Sequence, residues 1–375
     1  MEASKGTILL FNKAYPPWPG GIERHVALLA EGLSARGWRV IVLCAGNHRF
    51  RYEERLERLC VRREANWGTV WSQPISPGLI REIGRIQPDL VHIHTPFPFG
   101  NLALLIRRPR CPLVVTWHSD IVRQRAARPL LVPLETFLLR RADALIATSP
   151  ALLEQSSSLP RYRQKCHIIP LGIDPTPFLS MEPPILEKAE HLRKSLPHPL
   201  AVFVGRLVGY KGLDVLLRAL KKAGDVSLLI AGDGPLRSDL ERQAERMGLT
   251  DRVRFAGHVS DEDLPAYLRA GDFFVLPSTS RNEAFGMCQL EAMAARLAVI
   301  STNLPGGVAW VNQHGRTGLV VPAGDIDALA EAMQILARNP DLCEQWGMCG
   351  QARVLELFTQ EKSVILHEEV YRNLL

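Results

Sequence analysis

Short β-branched or apolar runs alternate with longer amphipathic stretches along the whole chain, the pattern of parallel sheets covered by helices. Strands are expected over 7–11, 40–44, 90–94, 113–116, 144–148 and 167–170, with amphipathic helices such as 22–36 between them. Prolines at 175, 177, 183, 184, 197 and 199 then interrupt regular structure. The pattern restarts with strands over 201–204, 227–231, 253–255, 273–276, 299–302 and 318–321. A chain of 375 residues exceeds what one hydrophobic core usually organises. The division that follows is a doubly wound α/β domain over 1–175, a linker over 176–199, a second over 200–358, and a terminal helix over 359–375 packing back on the first domain. In such sheets the loops at the carboxyl ends of the strands build the ligand site, and two facing lobes would make an interdomain cleft.

Charge is informative once divided. Residues 1–180 carry 24 Lys and Arg against 14 Asp and Glu, net +10, and the remainder carries 21 against 25, net −4. A basic first half points to an anionic partner such as membrane phospholipid, a lipid diphosphate or nucleic acid, and a solvated basic face explains it equally well. Arg49, Arg51, Arg55, Arg58, Arg62 and Arg63 cluster, and residues 123–141 mix basic side chains with Leu130, Leu131, Val132, Leu134, Phe137, Leu138 and Leu139. That combination suits a lobe resting on a membrane surface. No apolar run is long enough to span a bilayer and the N-terminus lacks a signal peptide, so a cytoplasmic location is expected, peripheral at the inner membrane face if the basic half binds lipid. Seven cysteines without a C-x-x-C pair suggest neither a disulfide framework nor a zinc site.

Every chemically suggestive motif follows an expected strand. In Glu283-Ala-Phe-Gly-Met-Cys-Gln-Leu-Glu291 two carboxylates flank a loop-to-helix junction opened by Gly286. Unpaired N–H groups at such a junction bind a diphosphate, Glu291 can accept bonds from a ribose diol, and Glu283 can reach sugar hydroxyls. The plain alternative is an exposed acid before an ordinary helix and another within it. Val204-Gly-Arg206-Leu-Val-Gly-Tyr-Lys211-Gly212 places two cations on a glycine turn, Arg206 to fork onto phosphate oxygens and Lys211 to offset a leaving diphosphate, or else both are surface cations. Gly20 and Gly21 allow close approach to phosphate, although a lone pair of glycines is usually a turn. His118, in Thr116-Trp-His-Ser-Asp120, could meet a transferred sugar at its reacting carbon or be hydrogen-bonded within its lobe. Gly232-Asp-Gly-Pro235 and Gly257-His-Val259-Ser-Asp261 would wall a nucleoside base, or are simple strand-to-helix turns.

Taken in order, these motifs resemble glycosyltransferase family 4, the retaining enzymes of the two-domain GT-B type, over essentially the whole chain. The resemblance rests on Pro19-Gly-Gly21 with His25, His118-Ser-Asp120, Ile169-Pro-Leu-Gly-Ile-Asp174, Gly205-Arg206 with Lys211-Gly212, Gly232-Asp-Gly-Pro235 and the Glu283 to Glu291 unit. It implies that Gly21, Arg206 and Lys211 hold a diphosphate, that Val259 and Asp261 lie near the base, and that Glu291 binds ribose. Glu283, Phe285, Gly286 and Met287 would hold the sugar and its phosphate, with His118 opposite at the anomeric carbon. It further implies retention of configuration without a divalent metal or a bound cofactor, the nucleoside-diphosphate sugar being a co-substrate. Asp261-Glu-Asp263 is more simply a helix-opening acidic turn than a metal motif.

The chain departs from the family where a proline-glutamate pair usually follows paired glycines; Gly306-Gly-Val-Ala-Trp310 stands there, which puts a carboxylate role at that position in doubt. This variant, with 118–124, looks like a subgroup building bacterial lipopolysaccharide and exopolysaccharide, often from GDP-mannose. The expected activity is transfer of a hexose, mannose favoured, to a glycan or lipid-linked saccharide acceptor. Alternatives are a UDP-sugar-dependent transferase of another glycoconjugate pathway, a non-hydrolysing sugar-nucleotide epimerase and a non-catalytic sugar-nucleotide-binding subunit. No recognition motif supports a nucleic-acid partner.

Overall fold

A computed structural model describes residues 4–18, 20–70, 73–120 and 128–375. The chain forms two compact units, one of residues up to 172 together with 360–375, the other of residues 173–359. Each is a mainly parallel sheet sandwiched by helices, the Rossmann-like arrangement of GT-B proteins.

The first unit is built on β1 (Thr7–Phe11), β2 (Arg39–Ala45), β3 (Tyr52–Arg55), β4 (Leu59–Glu64), β7 (Leu90–Thr95), β8 (Leu113–Trp117), β9 (Ala144–Ala147) and β10 (Cys166–Ile168), with a small hairpin of β5 (Thr69–Val70) and β6 (Gln73–Pro74) beside it. The order β10-β9-β8-β7-β1-β2-β4-β3 reverses direction between β7 and β1, and only β3 runs antiparallel. Strands covered on both faces must be apolar throughout, which is why β1, β7, β8 and β9 read as continuous runs. One face packs Leu10, Val42, Val114 and Ile146 against the helix Gly21–Ala35 and the terminal helix Gln360–Arg372. The other packs Phe11, Leu43, Ile93 and Val115 under Leu138 and Leu139 of the helix Arg128–Arg141.

The terminal helix is locked down by size and by charge. At Gly32 a Cβ would stand 2.5 Å from Val364 Cγ2, so the glycine sets how close the two helices come. The carboxylate of Glu368, with a side chain 3% exposed, takes Lys5 at 2.9 Å, Arg36 at 2.5 Å and Arg372 at 2.7 Å. The indole N–H of Trp38 donates to it at 3.0 Å.

The second unit orders its strands β13-β12-β11-β14-β15-β16, all parallel: β11 (Leu200–Val204), β12 (Ser227–Ala231), β13 (Val253–Gly257), β14 (Phe273–Leu276), β15 (Ala298–Thr302) and β16 (Gly318–Val321). Its core lies between the sheet and helices such as Leu213–Lys222 and Ile326–Arg338. The proline-rich stretch read as a linker is part of this unit. It folds into the helices Thr176–Leu179 and Pro183–Lys194, because prolines at the first helical positions leave no hydrogen bond unmade. Lys188 and Asp263 pair at 2.6 Å and Arg193 meets Asp272 at 2.7 Å, fastening the second helix to the body of the unit. Among the described residues no helix is long and apolar enough to cross a membrane.

Candidate active site

In the second sheet the strand order reverses between β11 and β14, and the crevice at such a switch point is where α/β sheets bind ligands. Both of the sequence-derived charged motifs emerge there. The turn after β11 carries Arg206 and Lys211, and the loop after β14 carries Ser278 and Glu283. Lys211 Nζ stands 2.6 Å from Glu283 Oε2, to which Ser278 Oγ also donates at 2.9 Å.

Both members of the pair are buried, Lys211 at 8% and Glu283 at 7% exposure. Burial disfavours the ammonium, yet the sulfur of Cys288 and the carboxylate of Glu283 together hold the pKa of Lys211 above its ordinary range. The Cys288 thiol is itself pushed up to about 12 by burial, so it is neutral near pH 7 and Glu283 supplies the counter-charge. Arg206, by contrast, is exposed and enters none of the ion pairs found among the described residues. The crevice therefore combines a fixed internal cation with a free guanidinium.

Backbone packing shapes the turn around these cations. A Cβ at Gly232 would lie 2.0 Å from Gly205 O, and one at Gly212 would lie 2.1 Å from Pro277 O. Gly232 N donates to Gly257 O at 2.7 Å, so the loops after β11 and β12 and the end of β13 lie main chain against main chain. Gly232 thus shapes the turn that carries Arg206 and Lys211. Gly232→Ala is expected to cost about 1–3 kcal/mol, since φ of +146 is also outside what alanine adopts. A melting temperature equal to that of the unmodified protein would contradict this.

Gly286, at φ 75, caps the helix Met287–Ala294 on which Glu291 is buried at 4% exposure. The ring of Phe285 does not face the loop surface. It packs edge-on against Trp310 at 6.3 Å and Phe358 at 6.0 Å, and Arg353 lies 5.5 Å over the Trp310 ring. The variant stretch explains itself here: Gly307 N donates to Ala284 O at 2.7 Å, and a Cβ at Gly307 would stand 2.5 Å from the Phe285 ring. Trp310 thus braces the glutamate loop from behind. Val259 and Asp261 follow β13, two strands from β11, and Asp261-Glu-Asp263 forms the turn before the helix Leu264–Ala270.

In the first unit His118 follows β8 and its ring is buried, 2% exposed. Its Nε2 lies 3.1 Å from His94 Nδ1, within a cluster that also holds His25, His92 and His367. Burial, followed by the charge of His367, lowers the pKa of His118 to about 3, so this imidazole is neutral under physiological conditions. Among the described residues no group of three or more His, Cys, Asp or Glu side chains, this cluster included, could hold a metal ion. Asp120 of the same motif is structural: it takes the Trp117 indole at 2.9 Å and Ser156 Oγ at 2.7 Å. Gly20 caps the helix Gly21–Ala35 and Glu23 folds over it, a Cβ at Gly20 lying 2.0 Å from Glu23 Oε2. Pro19 of that motif lies outside the described residues.

Residues 186–353 match the family described as Glycosyl transferases group 1, and residues 19–176 match Glycosyltransferase Family 4. The chain belongs to glycosyltransferase family 4. It is 38% identical to the D-rhamnosyltransferase WbpZ of Pseudomonas aeruginosa over 73% of this chain and 70% of that one. It is 30% identical to the O-antigen chain mannosyltransferase C of Escherichia coli over 98% of both. Among solved structures it resembles a sucrose-phosphate synthase from Thermosynechococcus elongatus (TM-score 0.81, 24% identity, 99% of each chain). It also resembles Anabaena HepE in complex with UDP (TM-score 0.80, 20% identity, 98% of this chain and 100% of that one).

Two features of this glycosyltransferase had no sequence signal strong enough to find them. Ser278 is an unremarked serine until its hydroxyl is seen on Glu283. His94 lies inside an apolar strand and gains meaning only from the ring beside it. The arginine cluster changes meaning in the opposite direction. Arg51, Arg55, Arg62 and Arg63 are ion-paired with Glu53, Glu54, Glu64 and Glu82, and Arg58 donates to Gly37 O, so much of that charge is answered within the unit. Of the second basic-apolar stretch, Leu138 and Leu139 are core and residues 121–127 lie outside the described residues.

Proposed function

We propose that this glycosyltransferase moves a hexose, mannose favoured, from a nucleoside-diphosphate sugar to a glycan or lipid-linked saccharide in the synthesis of O-antigen or a related cell-surface polysaccharide, with retention of anomeric configuration. The observation that carries this reading is the buried Lys211–Glu283 pair beside Arg206, which enters no ion pair among the described residues, at the switch point of the second sheet. GDP-mannose is the favoured donor, with no bound cofactor or divalent metal taking part. Support for mannose comes from the E. coli relative that matches over 98% of both chains and is named for mannosyl transfer.

In the proposed reaction the bond from the anomeric carbon to the diphosphate oxygen breaks. A new bond forms on the same face from the acceptor hydroxyl, whose proton passes to the departing diphosphate. Arg206 forks onto that diphosphate and Lys211 adds charge as the bond lengthens, so both stabilise the transition state more than the bound donor. Glu283, its orientation set by Lys211 and Ser278, receives sugar hydroxyls. Glu291 receives the ribose, the backbone of Phe285, Gly286 and Met287 receives the sugar phosphate, and Val259 and Asp261 border the base. His118, neutral throughout, contributes a hydrogen bond at the reacting sugar and no proton, with Gly21 giving the diphosphate room, since the Glu23 carboxylate covers Gly20. A lipid-linked acceptor would bring the basic first unit to the inner face of the cytoplasmic membrane.

Thermal-shift titration with GDP, UDP and ADP, alone and as their sugars, tests the donor. A ligand at about 100 times its Kd stabilises the native state by about 2.7 kcal/mol, and the largest rise is expected with GDP-mannose. No shift with any of them would refute the site. A second donor is favoured by one observation, the relative named for D-rhamnosyl transfer. D-rhamnose is mannose without its 6-hydroxyl. A pocket that hydrogen-bonds this hydroxyl rejects the deoxy sugar by on the order of 10⁴-fold, and a merely apolar pocket by far less. Comparing kcat/KM for the two sugars decides between them, and the anomeric configuration of the product, read by NMR, tests retention.

A further inference from the structure

His118 is not the last residue in its chain of contacts. Its Nε2 meets His94 Nδ1 at 3.1 Å, and the 22° between ring planes with 5.4 Å between centroids places the imidazoles end to end rather than face to face. The other ring nitrogens, His118 Nδ1 and His94 Nε2, are buried and have no partner among the described residues. In a neutral imidazole one nitrogen donates and the other accepts, so the role of each Nε2 or Nδ1 in the contact dictates the role of the opposite atom. Whichever of the two rings carries the shared proton, the tautomer of His118 is tied to that of His94.

The frame around this contact is rigid. His94 faces Thr116 in the β7–β8 register, Thr95 Oγ1 donates to Thr116 O at 3.0 Å and His118 N donates to Thr95 O at 3.1 Å. His92 on the same face of β7 is held at both nitrogens, Nδ1 by the Tyr371 hydroxyl at 2.6 Å and Nε2 by Thr116 Oγ1 at 2.7 Å. His367 donates from Nδ1 to Ser363 O at 2.7 Å, and His25 fills the remaining side, 5.7 Å from both His94 and His118. His94 is therefore boxed in by groups of fixed orientation, and its Nδ1 has His118 as its partner.

We infer that His94 is a positioning residue for sugar transfer: by gripping His118 Nε2 it holds the plane of that ring and couples its tautomer to its own, so that His118 meets the sugar in one orientation. The inference rests on the assignment of His118 to the reacting sugar made above. A partner that orients a functional imidazole in this way typically accounts for about 10- to 100-fold in activity.

The test compares His94→Asn, His94→Gln and His94→Leu. Asparagine returns a polar atom near the position of Nδ1, whereas glutamine returns one near Nε2, away from His118. The expected result is kcat within about threefold of the unmodified enzyme for His94→Asn, and about 10- to 100-fold lower for His94→Gln and His94→Leu, with the donor KM within about twofold throughout. Nitrogen-15 NMR of histidine-labelled protein reads the state of His118 Nε2 directly. Its shift is expected to be that of a hydrogen-bonded ring nitrogen in the unmodified protein and in His94→Asn, and that of an unbonded one in His94→Gln. Equal activity of the Asn and Gln variants, or an unchanged His118 Nε2 shift in His94→Gln, overturns the inference. Both are near-isosteric polar replacements, so the comparison stands even if His94→Leu does not fold. The NMR signature needs no turnover, so absence of sugar transfer in the unmodified protein would refute the proposed function while this reading of His94 is still decided by the spectrum.

Discussion

Lys211→Met is expected to lower the turnover of sugar transfer by about 10²- to 10³-fold while leaving the acceptor KM within about twofold. The loss falls on turnover because, in the proposed reaction, Lys211 acts on charge that appears as the diphosphate departs. The same substitution strands Glu283, whose side chain is 9% exposed, without its cation. Stranding a buried charge costs about 3–5 kcal/mol, on the order of 10 °C in melting temperature for a unit of this size. The two consequences are separable. Adding Glu283→Gln to Lys211→Met removes the stranded charge, and is expected to recover most of the melting temperature and none of the turnover. Arg206→Ala completes the set: Arg206 is exposed and outside the ion pairs, so its loss is expected to slow transfer comparably with no change in stability. Initial rates and melting curves on the four proteins decide the matter. Normal turnover in both Lys211→Met and Arg206→Ala would end the assignment of the phosphate site to this crevice.

Glu368→Ala is expected to destabilise the first unit by about 3 kcal/mol, on the order of 10 °C, because the favourable interactions that hold the buried carboxylate ionised, with three cations and an indole N–H, are lost together. The effect should depend on pH in a way that identifies its source. Burial raises the pKa of Glu368, but its bonds to Lys5, Arg36, Trp38 and Arg372 outweigh burial and bring it down to about 2. A carboxyl whose folded pKa is depressed stabilises fully above its unfolded value near 4.5, and that contribution disappears as pH falls from there through about 2. The buried histidines act in a higher window. His25, His92, His94, His118 and His367 all have pKa values lowered chiefly by burial, to about 3 for His118 and about 4 for His367. The unfolded chain therefore takes up protons first, and stability falls as pH drops below the ordinary histidine value of 6.5. Melting temperatures from pH 8 to pH 3 should show the histidine decline in both proteins, with the further loss below about pH 4.5 smaller in Glu368→Ala. A Glu368→Ala profile parallel to that of the unmodified protein over the whole range would contradict this account.

Strands buried on both faces leave a mark that local sequence cannot hide, which is why the positions of β1, β7, β9, β11, β12 and β14 were legible from apolar runs alone. β3 and β4 were not, because YEER and LCVRRE carry charges that read as a basic surface. Arg62 and Arg63 of β4 meet Glu53 and Glu54 on the facing β3, Arg55 meets Glu53 on its own strand, and Arg62 also meets Glu82 from a helix distant in sequence, while Arg51, just before β3, meets Glu64 and Glu82. Prolines at 183 and 184 looked like interruption, and at the first turn of a helix they are compatible with it.

For the site, local chemistry determined the residue types and their loops: two cations on a glycine turn, a carboxylate before a glycine-capped helix, a histidine after a strand. Only the tertiary structure decided who meets whom. Lys211 and Glu283 became a buried pair because β11 and β14 are neighbours at the point where strand order reverses, a fact of sheet topology with no counterpart in either segment. Phe285 acquired its aromatic partners and His118 its His94 for the same reason, since a side chain's function depends on the dielectric and the neighbours around it. Those are set by residues far away along the chain, and periodicity or spacing within one segment carries no record of them.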